Sequence, residues 1–281
     1  MAWWYLPFKP PVWTWEVPAY LFAGGAAGAA AVIAGAAHFA HADPGLVLTA
    51  RIVAAIGAVV SPVLLVSDLG RPQRFLYMLR VFKPQSTMSV GAWTLVVFTF
   101  ATFAALALAT PIGRALTGST ALTAAADILG IFTGLVLATY TGVLLGATAI
   151  PVWAANASYL PLHFAASSLG AAAGMIELAG RADTALHRIG LAAALMETVA
   201  LAVMEIDWRG GHQTLPSGVG RQMIRFGHLF TGLLALVLRL ATARWPAARA
   251  LAGVAAIGGS LVNRMGWMAS GRASALQDRS Q

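Results

Sequence analysis

Apolar and polar positions are strongly segregated along this chain, with long runs almost free of charge and short stretches that hold most of it. Eight runs, near 18–40, 46–67, 88–109, 125–148, 158–179, 185–206, 223–242 and 247–268, approach or exceed 20 residues. Each is long enough to cross a hydrocarbon core of roughly 30 Å as a helix. The pattern predicts an all-α integral membrane protein with eight transmembrane helices. An even number of crossings returns the chain to its starting side, here called side A. Residues 1–17, rich in Trp and Pro, show no basic start followed by an apolar run and read as an interfacial segment. The remaining divisions are a first half at 18–150, a second half at 151–270 and a tail at 271–281. In the side A loop at 68–87, Phe75, Met78, Leu79 and Phe82 recur at helical spacing, which predicts a short interfacial helix. The polar loop at 207–222 lies on the same side.

Composition supports the membrane reading and narrows the chemistry. Charged residues make up 10% of the chain and hydrophobic residues 59%, whereas a soluble domain carries roughly 25% charged residues. The absence of cysteine excludes disulfides, cysteine-ligated iron–sulfur clusters, thiolate zinc sites and covalent c-type haem in this chain. The net charge of +8 reads as loop arginines facing anionic lipid, not as a nucleic-acid surface. Eleven of the 18 Lys and Arg, Arg264 among them, fall toward side A, so the positive-inside rule places that side in the cytoplasm.

Two glycine ridges announce close helix packing: Gly24 and Gly28 with Gly35 beyond, and Gly130, Gly134, Gly142 and Gly146 with Ala138. Against this background each ionisable residue in a span asks for a reason, because charge at mid-membrane costs roughly 2.5–3.5 kcal/mol on insertion scales. Glu177 with Arg181, and Glu205 with Arg209, are spaced for intrahelical pairs, with a proton-relay role as the alternative. Glu197 has no basic residue within a turn, so it is neutral, pairs with another helix, or carries protons. Asp68 closes the second span; it either caps the next helix and pairs with Arg71 or Arg74, or exchanges protons with a ligand. Tyr140 lies about 200° round from its glycine ridge and offers a phenol to a cavity. His163 and His228 toward side A, or His38 and His187 toward side B, could face each other across a b-type haem.

Three stretches carry a family resemblance. They are Trp13 through Gly25, then Asp68-Leu69-Gly70-Arg71-Pro72 on to Phe82-Lys83-Pro84 and Ser89 through Trp93, and finally Tyr140 through Leu145 with Pro151-Val152-Trp153 and Asn156. In these the chain resembles the quinone-reactive membrane anchors of polysulfide-reductase type, the NrfD/PsrC-like proteins. The match covers roughly the first 160 residues; the second half is similar only in topology.

The resemblance implies two four-helix bundles in a bacterial or archaeal cytoplasmic membrane, without metal or haem in this chain. It implies a menaquinone or ubiquinone site beside the first four helices. Electrons would pass between that site and a ferredoxin-type iron–sulfur subunit, which serves a catalytic subunit, often a molybdopterin enzyme. By position Tyr140 looks like the family's quinone-contacting tyrosine, and Tyr20 stands where some members place a histidine. Asp68 falls where an acidic residue often lies beside the ring, with Trp15 nearby and Glu16 as a second group to handle the proton. Glu197, Glu177 and Glu205 are the candidates for a proton relay. Tyr20, Asp68 and Tyr140 all lie toward side A, an arrangement suited to an amphiphile whose headgroup meets both protons and electrons. A secondary transporter, a passive tether and a haem-bearing anchor are the rival readings. Family members with partners on the outer face keep the orientation open.

Overall fold

The computed structural model describes residues 13–277 apart from 72, 118, 212–215 and 244. The start of the interfacial segment, the last residues of the tail and part of the 207–222 loop lie outside the described residues. The described secondary structure is helical throughout. In chain order the helices are α1 (Glu16–Phe39), α2 (Pro44–Asp68), α3 (Gln73–Met78), α4 (Thr87–Ala109), α5 (Pro111–Thr117), α6 (Thr120–Gly146) and α7 (Pro151–Ala155). They continue with α8 (Leu160–Leu178), α9 (Thr184–Arg209), α10 (Gly218–Leu229), α11 (Ala235–Leu240) and α12 (Ala247–Gln277). A π-helical turn, Phe230–Leu234, joins α10 to α11 in one rod. Six of these rods, α1, α2, α4, α6, α9 and α10–α11, are long and apolar enough to cross a membrane. Helices α8 and α12 occupy the other two predicted runs.

Short polar side chains start several rods by satisfying backbone N–H groups that have no partner in the first turn. Asp43 accepts from Leu46, with Pro44 opening the helix. Ser86, Ser119 and Asp183 do the same for α4, α6 and α9. In the 68–87 loop the helix is shorter than expected. Among the described residues of the loop only Gln73–Met78 is helical, and Pro84 disfavours helical backbone at the residue before it. At the other end α12 runs through 271–277, which the sequence assigned to a tail.

Helices α1, α2, α4 and α6 pack as one group, and α8, α9, α10–α11 and α12 as another, with α1 and α6 touching α8 between them. The ridges act where their backbones meet. A Cβ on Gly28 would strike the Gly134 carbonyl, and a Cβ on Gly134 the Gly28 carbonyl. Gly130, in the same ridge, has open space instead. The buried interior is graded along the bundle. An alanine-rich core including Ala30, Ala34, Ala50 and Ala54 lies toward side B. A bulky core including Trp153, Phe164, Trp208 and Trp267 lies toward side A. Trp153 Nε1 donates to the Trp267 carbonyl (2.7 Å) and Trp208 Nε1 to Asn156 Oδ1 (3.0 Å), so these indoles keep their hydrogen bonds away from water. Outward rows such as Ile52, Ile56, Val59 and Val63 are exposed and suit lipid contact.

Candidate functional site

The first group encloses a cavity of about 170 Å³ toward side A. Tyr20 and Gly24 of α1, Ser61 and Asp68 of α2, Gly91 of α4 and Tyr140 and Thr141 of α6 line it, with apolar Leu65, Leu95, Leu137 and Leu144 between them. Tyr20, Asp68 and Tyr140 therefore converge from three helices on one cavity. Glycine makes the space: the Tyr140 ring occupies the place a Cβ on Gly91 would take. The Thr141 hydroxyl is buried in the wall without a hydrogen-bond partner among the described residues. An apolar chamber with a few convergent polar groups is the form of a small-molecule site.

At the cavity mouth Thr14 Oγ1 bonds both Glu16 and Asp68, the latter at 3.1 Å. A hydroxyl has one proton to donate, so Thr14 donates to one of the two carboxylates at a time. Glu16 does not line the cavity but reaches Asp68 through this bridge. Asp68 makes no ion pair with Arg71 or Arg74 among the described residues, and the bridge to Thr14 replaces the expected cap. Trp15 departs from expectation. It is 64% exposed at the start of α1, whereas Trp13 lines the cavity and stacks on Trp153 at 5.4 Å between centroids. Of the predicted interfacial face, Met78 reaches the cavity wall.

The second group holds a buried ionisable cluster. Glu197 of α9 meets His163 Nδ1 of α8 at 3.0 Å and His228 Nδ1 of α10 at 3.1 Å, and accepts from Thr231 Oγ1 at 3.1 Å. Pairing with other helices is thus the alternative that holds for Glu197. The two imidazoles lie against each other, with centroids 4.2 Å apart, leaving no gap for a porphyrin plane. His38 is engaged by Asp127 (2.6 Å) rather than set opposite His187. His163, Glu197 and His228 offer donor atoms within 4.8 Å of one another, the composition of a two-histidine, one-carboxylate metal set. However, Glu197 already acts electrostatically on buried Arg264, and a divalent ion would add to positive charge in a low-dielectric interior. The fit to a metal is therefore poor.

Both expected intrahelical pairs are replaced by longer-range ones. Glu177 binds Arg239 through two parallel hydrogen bonds of 2.9 Å, while Arg181 turns to Thr49 and Asp43. Glu205 binds Arg225 at 2.6 and 2.8 Å, not Arg209. Side chains on facing helices offered better geometry than the arginine one turn away, and bidentate pairing satisfies both carboxylate oxygens.

A family model described as polysulphide reductase, NrfD, matches residues 6–271. The chain belongs to the NrfD family. No curated protein gives a match. As an NrfD-family chain it is a multi-pass integral membrane protein, a membrane subunit of a respiratory oxidoreductase complex. The match continues well beyond the first 160 residues that carry the motif resemblance.

Sequence reasoning missed several residues in this NrfD-family chain: the Arg51–Asp127 ion pair, Arg239 and the buried position of Arg264. The signal was present, since all four lie inside or at the edge of apolar runs, where charge is costly. Arg264, counted with the side A loops, is fully buried and does not belong to the loop charge that sets orientation.

Proposed function

We propose that this chain is the quinone-reactive subunit of its complex, with all eight long rods crossing the membrane as two four-helix bundles. The observation that carries this reading is the convergence of Tyr20, Asp68 and Tyr140 on one largely apolar cavity. A quinone carries two oxygens on a flat ring with an apolar tail. The two tyrosines offer phenolic donors to the oxygens, and the leucine and methionine walls suit ring and tail. Thr141, with its hydroxyl unpartnered, offers a further polar contact. Gly91 and Gly24 keep the walls back from the ring.

The quinone supplies the two-electron chemistry when bound; the chain supplies binding and proton exchange. Asp68 takes or returns the headgroup proton, and Thr14 carries the hydrogen-bonded path on to Glu16 at the side A surface. Tyr20 positions rather than shuttles, since a phenol of ordinary pKa near 10 exchanges protons poorly at neutral pH. Electrons pass to or from a ferredoxin-type iron–sulfur subunit docked on side A, which serves a catalytic subunit. The exposed arginines Arg71, Arg74 and Arg80 beside the cavity favour an acidic partner surface there. Glu197, between two histidines, serves proton movement in the second half.

The test is purification of the tagged chain in mild detergent, with mass spectrometry of its partners and titration with a soluble quinone. A cysteine-rich iron–sulfur subunit and saturable quinone binding lost in Tyr140→Phe support the reading. A lone folded chain that binds no quinone overturns it.

A further inference from the structure

Among the described residues three arginines are buried within the helices, and they are not equivalent. Arg51 rests on Asp127 and Arg239 on Glu177. Arg264, fully buried, touches only neutral groups among the described residues. Its Nη1 donates to Ser167 Oγ (3.2 Å) and to the hydroxyl (2.5 Å) and carbonyl (3.0 Å) of Ser260. Its Nη2 donates to Ser168 Oγ (2.7 Å) and the Phe164 carbonyl (3.4 Å), and Nε has no partner. A guanidinium held in a membrane interior without a contacting carboxylate is expensive, and its retention points to a role.

Its position suggests which. The guanidinium lies over the rings of Phe164 (4.8 Å) and Phe22 (5.8 Å). A Cβ on Gly25 of α1 would stand 3.1 Å from Nη2. Phe22 and Gly25 are on the side of α1 away from Tyr20, and Gly24 and Tyr20 line the cavity. On its other side Arg264 follows Phe164 to His163 and so to Glu197, the carboxylate that acts on it electrostatically. Among the described residues the ionisable groups of this region are His163 from α8, Glu197 from α9, His228 from α10 and Arg264 itself from α12, with Glu205 of α9 acting on His228.

Resting on the quinone reading above, we propose that Arg264 is a positioning residue, an electrostatic bridge between the Glu197 cluster and negative charge on a headgroup in the Tyr20–Tyr140 cavity. Charge interacts across a low-dielectric interior far more strongly than through water. The guanidinium therefore favours an anionic headgroup over a neutral one, and Glu197 partly cancels that pull. A proton arriving at the cluster uncovers the cation, and by reciprocity an anionic headgroup favours that proton.

The experiment compares two probes on the assembled membrane complex: a hydroxynaphthoquinone that is anionic at neutral pH, and its neutral methyl counterpart. Arg264→Gln is expected to weaken the anion about tenfold while leaving the neutral probe unchanged, and Arg264→Lys to restore most of the loss. Glu197→Gln is expected to act in the opposite direction, tightening the anion only. Equal effects on both probes, or none from either variant, overturn the bridge. If neither probe binds the unaltered complex, the quinone reading itself fails. Should Arg264→Gln not assemble, the sign of the Glu197→Gln effect still decides.

Discussion

Glu177 and Arg239, 62 residues apart in the chain, meet fully buried through two parallel hydrogen bonds of 2.9 Å. Gly190 makes the pair possible, because a Cβ there would overlap the guanidinium. Removing one partner strands the other in a low-dielectric interior, at about 3–5 kcal/mol. Glu177→Gln should therefore lower the thermal midpoint of the detergent-solubilised chain sharply, and Glu177→Gln combined with Arg239→Met should recover much of it. Equal losses for the single and double variants would show that the pair does not act as a unit.

The contact between Gly28 and Gly134 separates two kinds of ridge glycine. Gly28→Val should force α1 from α6 and, since these helices carry Tyr20 and Tyr140, weaken both stability and quinone binding. Gly130→Ala meets open space and should be neutral or stabilising by up to about 1 kcal/mol. Thermal unfolding of the two variants reads the difference, and similar behaviour would contradict the packing assignment.

Asp68→Asn keeps the shape of the cavity but removes its proton acceptor. Turnover with quinone in the assembled complex should fall by about 10²-fold with affinity little changed. Thr14→Val, which breaks the bridge to Glu16, should cause a smaller loss. Trp15→Phe should leave both values unchanged, because this residue faces away from the cavity. Normal turnover in Asp68→Asn would remove that residue from the proton path.

Glu197→Gln preserves the size of the side chain between His163 and His228 but removes its charge. Assembly and neutral-quinone binding should persist, while proton movement per electron pair in reconstituted vesicles should drop. An unchanged proton stoichiometry would sink the relay role.

How far these features were legible in the sequence follows from the range of the forces involved. Rod positions follow from hydrophobic run length, a local property: seven of the eight predicted runs each coincide with one long helix, and the eighth, 223–242, with the α10–α11 rod that a π-helical turn interrupts. Helix starts at Asp43, Ser86, Ser119 and Asp183 are equally local. The convergence of Tyr20, Asp68 and Tyr140 was foreseeable too, because topology alone puts all three toward one end of the bundle. The role of Trp15 was not. Trp15, at the N-cap of α1, is exposed, and the cavity received Trp13 instead.

The sequence by itself determined an all-helical membrane chain, its ridges of small residues and the end at which its polar groups gather. Only the tertiary structure decided the partners of the charges. Glu177 and Glu205 each had an arginine one turn away, yet both bind arginines on other helices. Glu197 found two histidines, and among the described residues Arg264 found only hydroxyls, carbonyls and ring faces. The physical reason is that hydrophobicity acts residue by residue along the chain. A buried charge is instead satisfied by whatever geometry brings within about 3 Å, and that depends on how separate helices rotate and pack.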